Sequence, residues 1–186
     1  MKRGFTLLES VIVIGISALA LIALSNLFFI FNSIYGYQQV FMATSGSASK
    51  TLNALEAAVF PAEHVLASRS FSGTTYTSST TVLVLELPSI DSSGNIISGV
   101  KDYVAFYTDS AKFYRLVEAG SGSTRVSGLT LLSTTLNALS FTYDNADFAQ
   151  VANVTAELRM QAQFKQEVVQ SHLREQLHLR NLQPTL

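Results

Sequence analysis

No charged residue occurs between Ser10 and Ser49, and inside that stretch Val11 to Phe31 reads VIVIGISALALIALSNLFFIF. As a helix, these 21 residues reach about 31 Å at about 1.5 Å each, close to the hydrocarbon thickness of a bilayer. So long an apolar run disfavours a buried core helix. Lys2 and Arg3 precede it and nothing basic directly follows. The positive-inside bias therefore places the N-terminus in the cytoplasm and the remainder outside. Tyr35 and Tyr37 follow the run, where interfacial aromatics are common. From Lys50 onward the chain carries ten basic and twelve acidic side chains, so an apolar arm is joined to a normally charged body.

A length of 186 residues suits one domain, or a small domain with an appendage, and excludes a large multidomain enzyme. With 48% hydrophobic and 13% charged residues the chain is too apolar for disorder and unusually apolar for a purely soluble protein. Twelve Lys and Arg stand against thirteen Asp and Glu, so no basic excess exists to neutralise phosphates and no nucleic-acid partner is expected. Zero Cys excludes disulfides, cysteine-zinc sites and thiol nucleophiles. A secretory signal peptide cleaved near Ala18-Leu19-Ala20 would leave the apolar run Leu21 to Phe31 as the mature terminus. A simple anchor would span equally well, but it gives no role to Glu9, whose carboxylate costs about 3 kcal/mol near a helix centre and less near its end.

Residues 2 to 9 read Lys-Arg-Gly-Phe-Thr-Leu-Leu-Glu and run directly into the apolar segment. This resembles the class III signal of type IV prepilins and pseudopilins, in which a short basic leader ends in Gly, cleavage precedes Phe, and Glu is the fifth mature residue. The resemblance implies Gly4 as the last leader residue, Phe5 as the new and N-methylated terminus, and Glu9 as the fifth-position acid. Cleavage on the cytoplasmic side of the apolar run would leave the membrane helix on the mature protein. Elementary chemistry agrees with each role. Gly4 has no Cβ to obstruct a protease cleft, Thr6 suits a helix N-cap, and Glu9 can pair with the α-amino group of Phe5 on a neighbouring subunit.

The resemblance also implies a fold: α+β, a long hydrophobic N-terminal spine helix packed against an antiparallel sheet head, the type IV pilin fold. The expected organisation is a leader over 1–4, a transmembrane and filament-core helix over 5–34, the second half of the spine over 35–60 and a β-rich head over 61–186. The helix is expected from about Thr6 to Phe60, ahead of Pro61, with weak points at Gly36 and at Ser45-Gly46-Ser47. Residues 68–80 are rich in Ser, Thr and Gly and read as a loop. Strands are expected over 81–87, 103–107, 112–117 and 136–143, with Thr108 to Ala111 as a hairpin connection. Alternation at Val154, Ala156, Leu158, Met160 and Ala162 argues a long half-buried strand. Ser171 to Asn181 fits either a helix or a strand. Within the head, Leu139 to Asp144 and the closing Leu179-Arg180-Asn181 resemble the J-type minor pseudopilins of type II secretion and related minor pilins.

Catalytic and metal signatures are sparse. His64, His172 and His178 match no zinc spacing. Asp91-Ser92-Ser93-Gly94-Asn95 has the composition of an ordinary turn and lacks the later acids of a calcium loop. No nucleophile elbow, Walker loop or dinucleotide fingerprint occurs. Tyr103, Phe106, Tyr107, Phe113 and Tyr114 alternate as core and exposed strand residues do.

These features lead to the expectation of a non-catalytic minor pseudopilin or minor pilin without cofactor, cleaved by prepilin peptidase and assembled into a type II secretion pseudopilus or a type IV pilus-like filament. The implied partners are other pilin-like subunits, the peptidase, an inner-membrane assembly platform with its ATPase, and membrane lipid. The implied location is the inner membrane, with the head outside, and then a filament of the envelope or cell surface. The alternative is an uncleaved single-pass envelope protein with a ligand-binding head.

Overall fold

A computed structural model describes residues 6–180, which form one long α-helix and ten strands. Helix α1 (Leu7–Val59) is followed by β1 (His64–Val65), β2 (Ser68–Phe71), β3 (Thr74–Thr77), β4 (Val82–Ile90) and β5 (Ile96–Asp109). Then come β6 (Lys112–Glu118), β7 (Gly128–Ser133), β8 (Leu136–Tyr143), β9 (Asn153–Phe164) and β10 (Glu167–His178). The chain divides into two units, one ending at Val40 and the other beginning at Phe41.

In the first unit every side chain from Thr6 to Asn32 is exposed. Leu19, Phe29 and Phe31, for example, keep about two-thirds of their surface accessible. Such a helix has no core of its own and is long and apolar enough to cross a membrane. The hydroxyl of Ser25 donates back to the Leu21 carbonyl at 2.8 Å, which satisfies a polar group in an apolar stretch without a partner outside the helix.

In the second unit the end of α1 buries Thr44, Ala48, Thr51, Leu52, Leu55, Ala58 and Val59. Their spacing of three and four residues makes a single stripe. Against it pack two antiparallel sheets, ordered β1-β4-β5-β6-β7 and β10-β9-β8. Leu83, Leu85 and Leu87, Phe106 and Phe113, and Val154 through Met160 at every second position join the helix stripe in one core. The Phe106 and Phe113 rings stack at 6.0 Å. The architecture is therefore α+β, with an N-terminal apolar helix packed on antiparallel sheets, and it is consistent with the type IV pilin fold.

The expected weak points do not interrupt α1, which runs through both Gly36 and Gly46. At the second of these, packing outweighs propensity: Ser45 Oγ donates to Ser171 Oγ at 3.3 Å, and Ser47 and Ser133 hydroxyls lie 3.2 Å apart. Small residues here let the helix approach both sheets. The helix ends before Pro61, as the restriction on a pre-proline residue requires. Ser171 to His178 is strand, paired residue by residue with β9. Its buried Val169, Ser171 and Leu177 share one parity. The Leu179 N–H then donates to Ala152, and the Arg180 N–H reaches the Phe60 carbonyl at 3.2 Å, while Asn181 lies outside the described residues.

Three differences from the sequence expectations have physical causes. Residues 68–77, expected as loop, form the β2–β3 hairpin around Ser72 and Gly73, both at positive φ. Phe71 is the anchor, buried on Val84 and Ala105 on the outer face of the large sheet. β4 continues past Pro88 to Ile90. It can do so because its neighbour β1 pairs only at Glu86 and Leu85, so the missing N–H of Pro88 leaves no ladder bond unmade on that side. Gly128 to Ser133, unassigned from sequence, is the end strand β7.

Candidate functional site

The arm begins with a reciprocal cap. The backbone N–H and the hydroxyl of Thr6 both donate to Glu9 Oε2 at 3.0 Å, and the Glu9 N–H points back to Thr6 Oγ1 at 3.3 Å. This is the capping box that Thr-x-x-Glu encodes, a structural role for Glu9 that its spacing from Thr6 signals in the sequence. The side chain remains exposed at the start of an apolar helix. Its carboxylate therefore has a local donor and room for an external cation. Gly4 and Phe5 lie outside the described residues.

The head contains a cluster that sequence patterns did not reveal. Asp102, fully buried, accepts from Ser89 Oγ at 2.6 Å and the Gly120 N–H at 2.7 Å on one oxygen. On the other it accepts from Ser123 Oγ at 2.7 Å and Arg125 Nη1 at 2.5 Å. Arg125 also donates to the Pro88 carbonyl at 2.6 Å. Burial alone would raise the pKa of Asp102, but the donors from Ser89, Gly120, Arg125 and Ser123 outweigh it and hold the carboxyl below its ordinary value. A Cβ on Gly120 would lie 2.4 Å from Val100 Cγ1 and 2.7 Å from the Lys101 carbonyl, so glycine is what brings this N–H within reach. With its acceptor positions filled and no solvent contact, Asp102 is a clamp for the 120–125 loop, not a proton-transfer group.

Other polar groups are similarly engaged. Glu63, nearly buried beside the end of α1, pairs with Lys101. The Tyr143 hydroxyl donates to the Ser79 and Val82 carbonyls at 2.9 and 3.0 Å, and burial pushes its pKa up. Tyr76, Tyr107 and Tyr114 form a row with ring centroids 4.7 and 5.4 Å apart. Burial foremost, aided by Tyr76, pushes the Tyr107 phenol up to about 12. Arg69 lies over the Tyr103 ring at 3.2 Å and pairs with Glu118.

The sequence candidates for metal are dispersed. His172 meets Glu157 at 3.0 Å and His178 meets Asn153 at 3.0 Å, and both histidines are exposed. Asp91 Oδ1 accepts the N–H groups of Ser93 and Asn95 at 2.8 and 2.9 Å, the geometry of an Asx turn between β4 and β5. Among the described residues no group of three His, Asp or Glu converges as a metal site.

No protein-family model matches the chain, and no curated protein matches it in sequence.

Proposed function

We propose that this protein is a structural subunit of a type IV pilin-like filament, a minor pseudopilin or minor pilin with no catalytic role. Prepilin peptidase cleaves between Gly4 and Phe5, Phe5 is N-methylated, and the head faces away from the cytoplasm. The observation that carries this is a single helix with two environments. Its first part is apolar and exposed on every side, its last part buries a stripe under the sheets, and in the sequence it is preceded by the Gly-Phe-Thr of the Gly-Phe-Thr-Leu-Leu-Glu motif. The exposed part must be covered by lipid or by like helices. Exchanging one for the other replaces apolar contact with apolar contact, so transfer from bilayer to filament carries little hydrophobic penalty.

Glu9 gives that exchange a direction. Its carboxylate is the only acidic group before Glu56. In a bundle of such helices the α-amino group of a neighbouring Phe5 is a natural counter-charge. Other subunits, the assembly platform and its ATPase are the partners this function requires.

Intact-mass and N-terminal peptide mass spectrometry of the protein from its native membrane tests the proposal. The expected result is a chain beginning at methylated Phe5. A chain beginning at Met1 would overturn it in favour of an uncleaved anchor carrying a binding head.

A further inference from the structure

The head holds a cavity of about 370 Å³ beside the last turns of α1. Ala57 and Ala58 of the helix leave the space, and Leu87, Val104 and Val117 line it with aliphatic surface. Arg115 and Arg125 reach the same cavity, and Val126 stands at it with 84% of its surface exposed. β6 places Arg115 between Phe113 and Val117, the two positions of that strand that join the core under α1.

Arg115 differs from the other arginines of the head that are not fully exposed. Arg69 has Glu118 and the Tyr103 ring, and Arg125 has Asp102 and the Pro88 carbonyl. The Nε of Arg115, like that of Arg69, is buried with no hydrogen-bond partner, so the difference lies in the missing ion pair. Among the described residues no carboxylate lies within ion-pair distance of its guanidinium. A half-buried guanidinium in aliphatic surroundings is costly unless an acceptor completes it. The positive charge of Arg125 is already neutralised by Asp102, so the cavity presents one uncompensated cation. That charge suits a monoanion with an aliphatic stem, a carboxylate, better than a phosphate.

The surroundings favour a carboxylate carried on a polypeptide. β7, which starts two residues after Val126, is the last strand of the five-stranded sheet, and it leaves Leu129 and Leu131, paired with Leu116 and Tyr114 on the face opposite Arg115, about half exposed. A strand laid along such an edge gains backbone hydrogen bonds and turns alternate side chains to the two faces, one set toward the Arg115 side and the other toward Leu129 and Leu131. We propose that the Arg115 cavity is a docking site for a glutamate or aspartate, flanked by aliphatic residues, on an extended segment of a partner protein that runs beside β7. The site is independent of leader processing, because a head on an unprocessed anchor would carry the same cavity.

The test uses the full chain in neutral lipid nanodiscs and a fluorescent heptapeptide, Ser-Val-Thr-Glu-Val-Thr-Ser, followed by anisotropy to millimolar concentration. Saturable binding is expected. It should weaken at least tenfold, about 1.4 kcal/mol, when the peptide Glu is replaced by Gln, in Arg115→Gln, and in Ala57→Leu, which fills the cavity without altering charge. The Arg115 Nε–H resonance should move downfield as the peptide saturates. Should Arg115→Gln fail to fold, Ala57→Leu and the Gln peptide carry the test. Absence of binding, or binding indifferent to these changes, overturns the proposal. Butanoate binding as tightly as the peptide also overturns it, because the ligand is then a free small acid.

Discussion

Four hydrogen bonds converge on the buried Asp102 carboxylate, and its replacement separates charge from shape. Asp102→Asn keeps the volume but leaves Arg125 without its counter-charge and turns one acceptor into a donor. Breaking a buried pair in this way costs about 3–5 kcal/mol, and urea unfolding at neutral pH should show a loss of that order. Because the folded carboxyl titrates below its ordinary value, its stabilisation is complete above the unfolded value of about 3.9 and disappears as pH falls through the lower folded value. The gap between wild type and Asp102→Asn should therefore narrow in acid. Asp91, held low chiefly by the Asn95 N–H, and Asp144, held low against burial by donors from Asn153 and Ala152, keep a residual acid slope in both proteins. At the arm, Gly4→Glu should leave an uncleaved membrane precursor on an immunoblot. Glu9→Ala should be cleaved normally yet recovered less in the sheared filament fraction; undiminished recovery would remove the charge-pairing role.

The two tight hairpins of the large sheet and its flap show how elements tolerate or avoid strain. Ser72-Gly73 joins β2 to β3 with glycine at the second positive-φ position. Ser110-Ala111, between β5 and β6, takes the same left-handed conformation at φ 49° and 63° with no glycine. A left-handed L-residue costs roughly 1–2 kcal/mol, and Ala111 is exposed with no core packing to lose. Ala111→Gly should therefore raise stability by about 1 kcal/mol, the relief exceeding the entropy lost by glycine. The denaturation midpoint should rise with an unchanged slope. The opposite case is β10, where twelve consecutive register pairs with β9 turn an ambiguous sequence into a strand.

The chain combines a unit with no interior and a unit with a continuous core. The core draws on α1 only from Thr44 onward, so the preceding apolar residues contribute nothing to it. A chain beginning at Asn32, a residue suited to N-capping the remaining helix, should keep the cooperative thermal transition of the head and remain in the soluble fraction after ultracentrifugation. The intact chain should sediment with membranes. Loss of the transition in the shortened protein would mean that the arm supports the head.

Local repetition made much of this fold legible. The uncharged run marks an element with no charged face, Pro61 marks the end of α1, and the two-residue alternation of β9 records its buried face; a single segment suffices to read each. The Thr6–Glu9 spacing encodes the cap in the same local way. Ser89, Asp102, Gly120, Ser123 and Arg125 meet only after β4, β5 and the 120–125 loop have been set side by side. Phe71 becomes an anchor only because Val84 and Ala105 turn their backs on the core, and Arg115 is left unpaired only because its register on β6 brings no carboxylate near. Which face an element buries is a property of its own sequence, whereas the partner of a lone polar or charged side chain is set by strand order and register. The apolar helix was therefore written in the chain, and the Asp102 clamp and the Arg115 cavity were decided by tertiary structure.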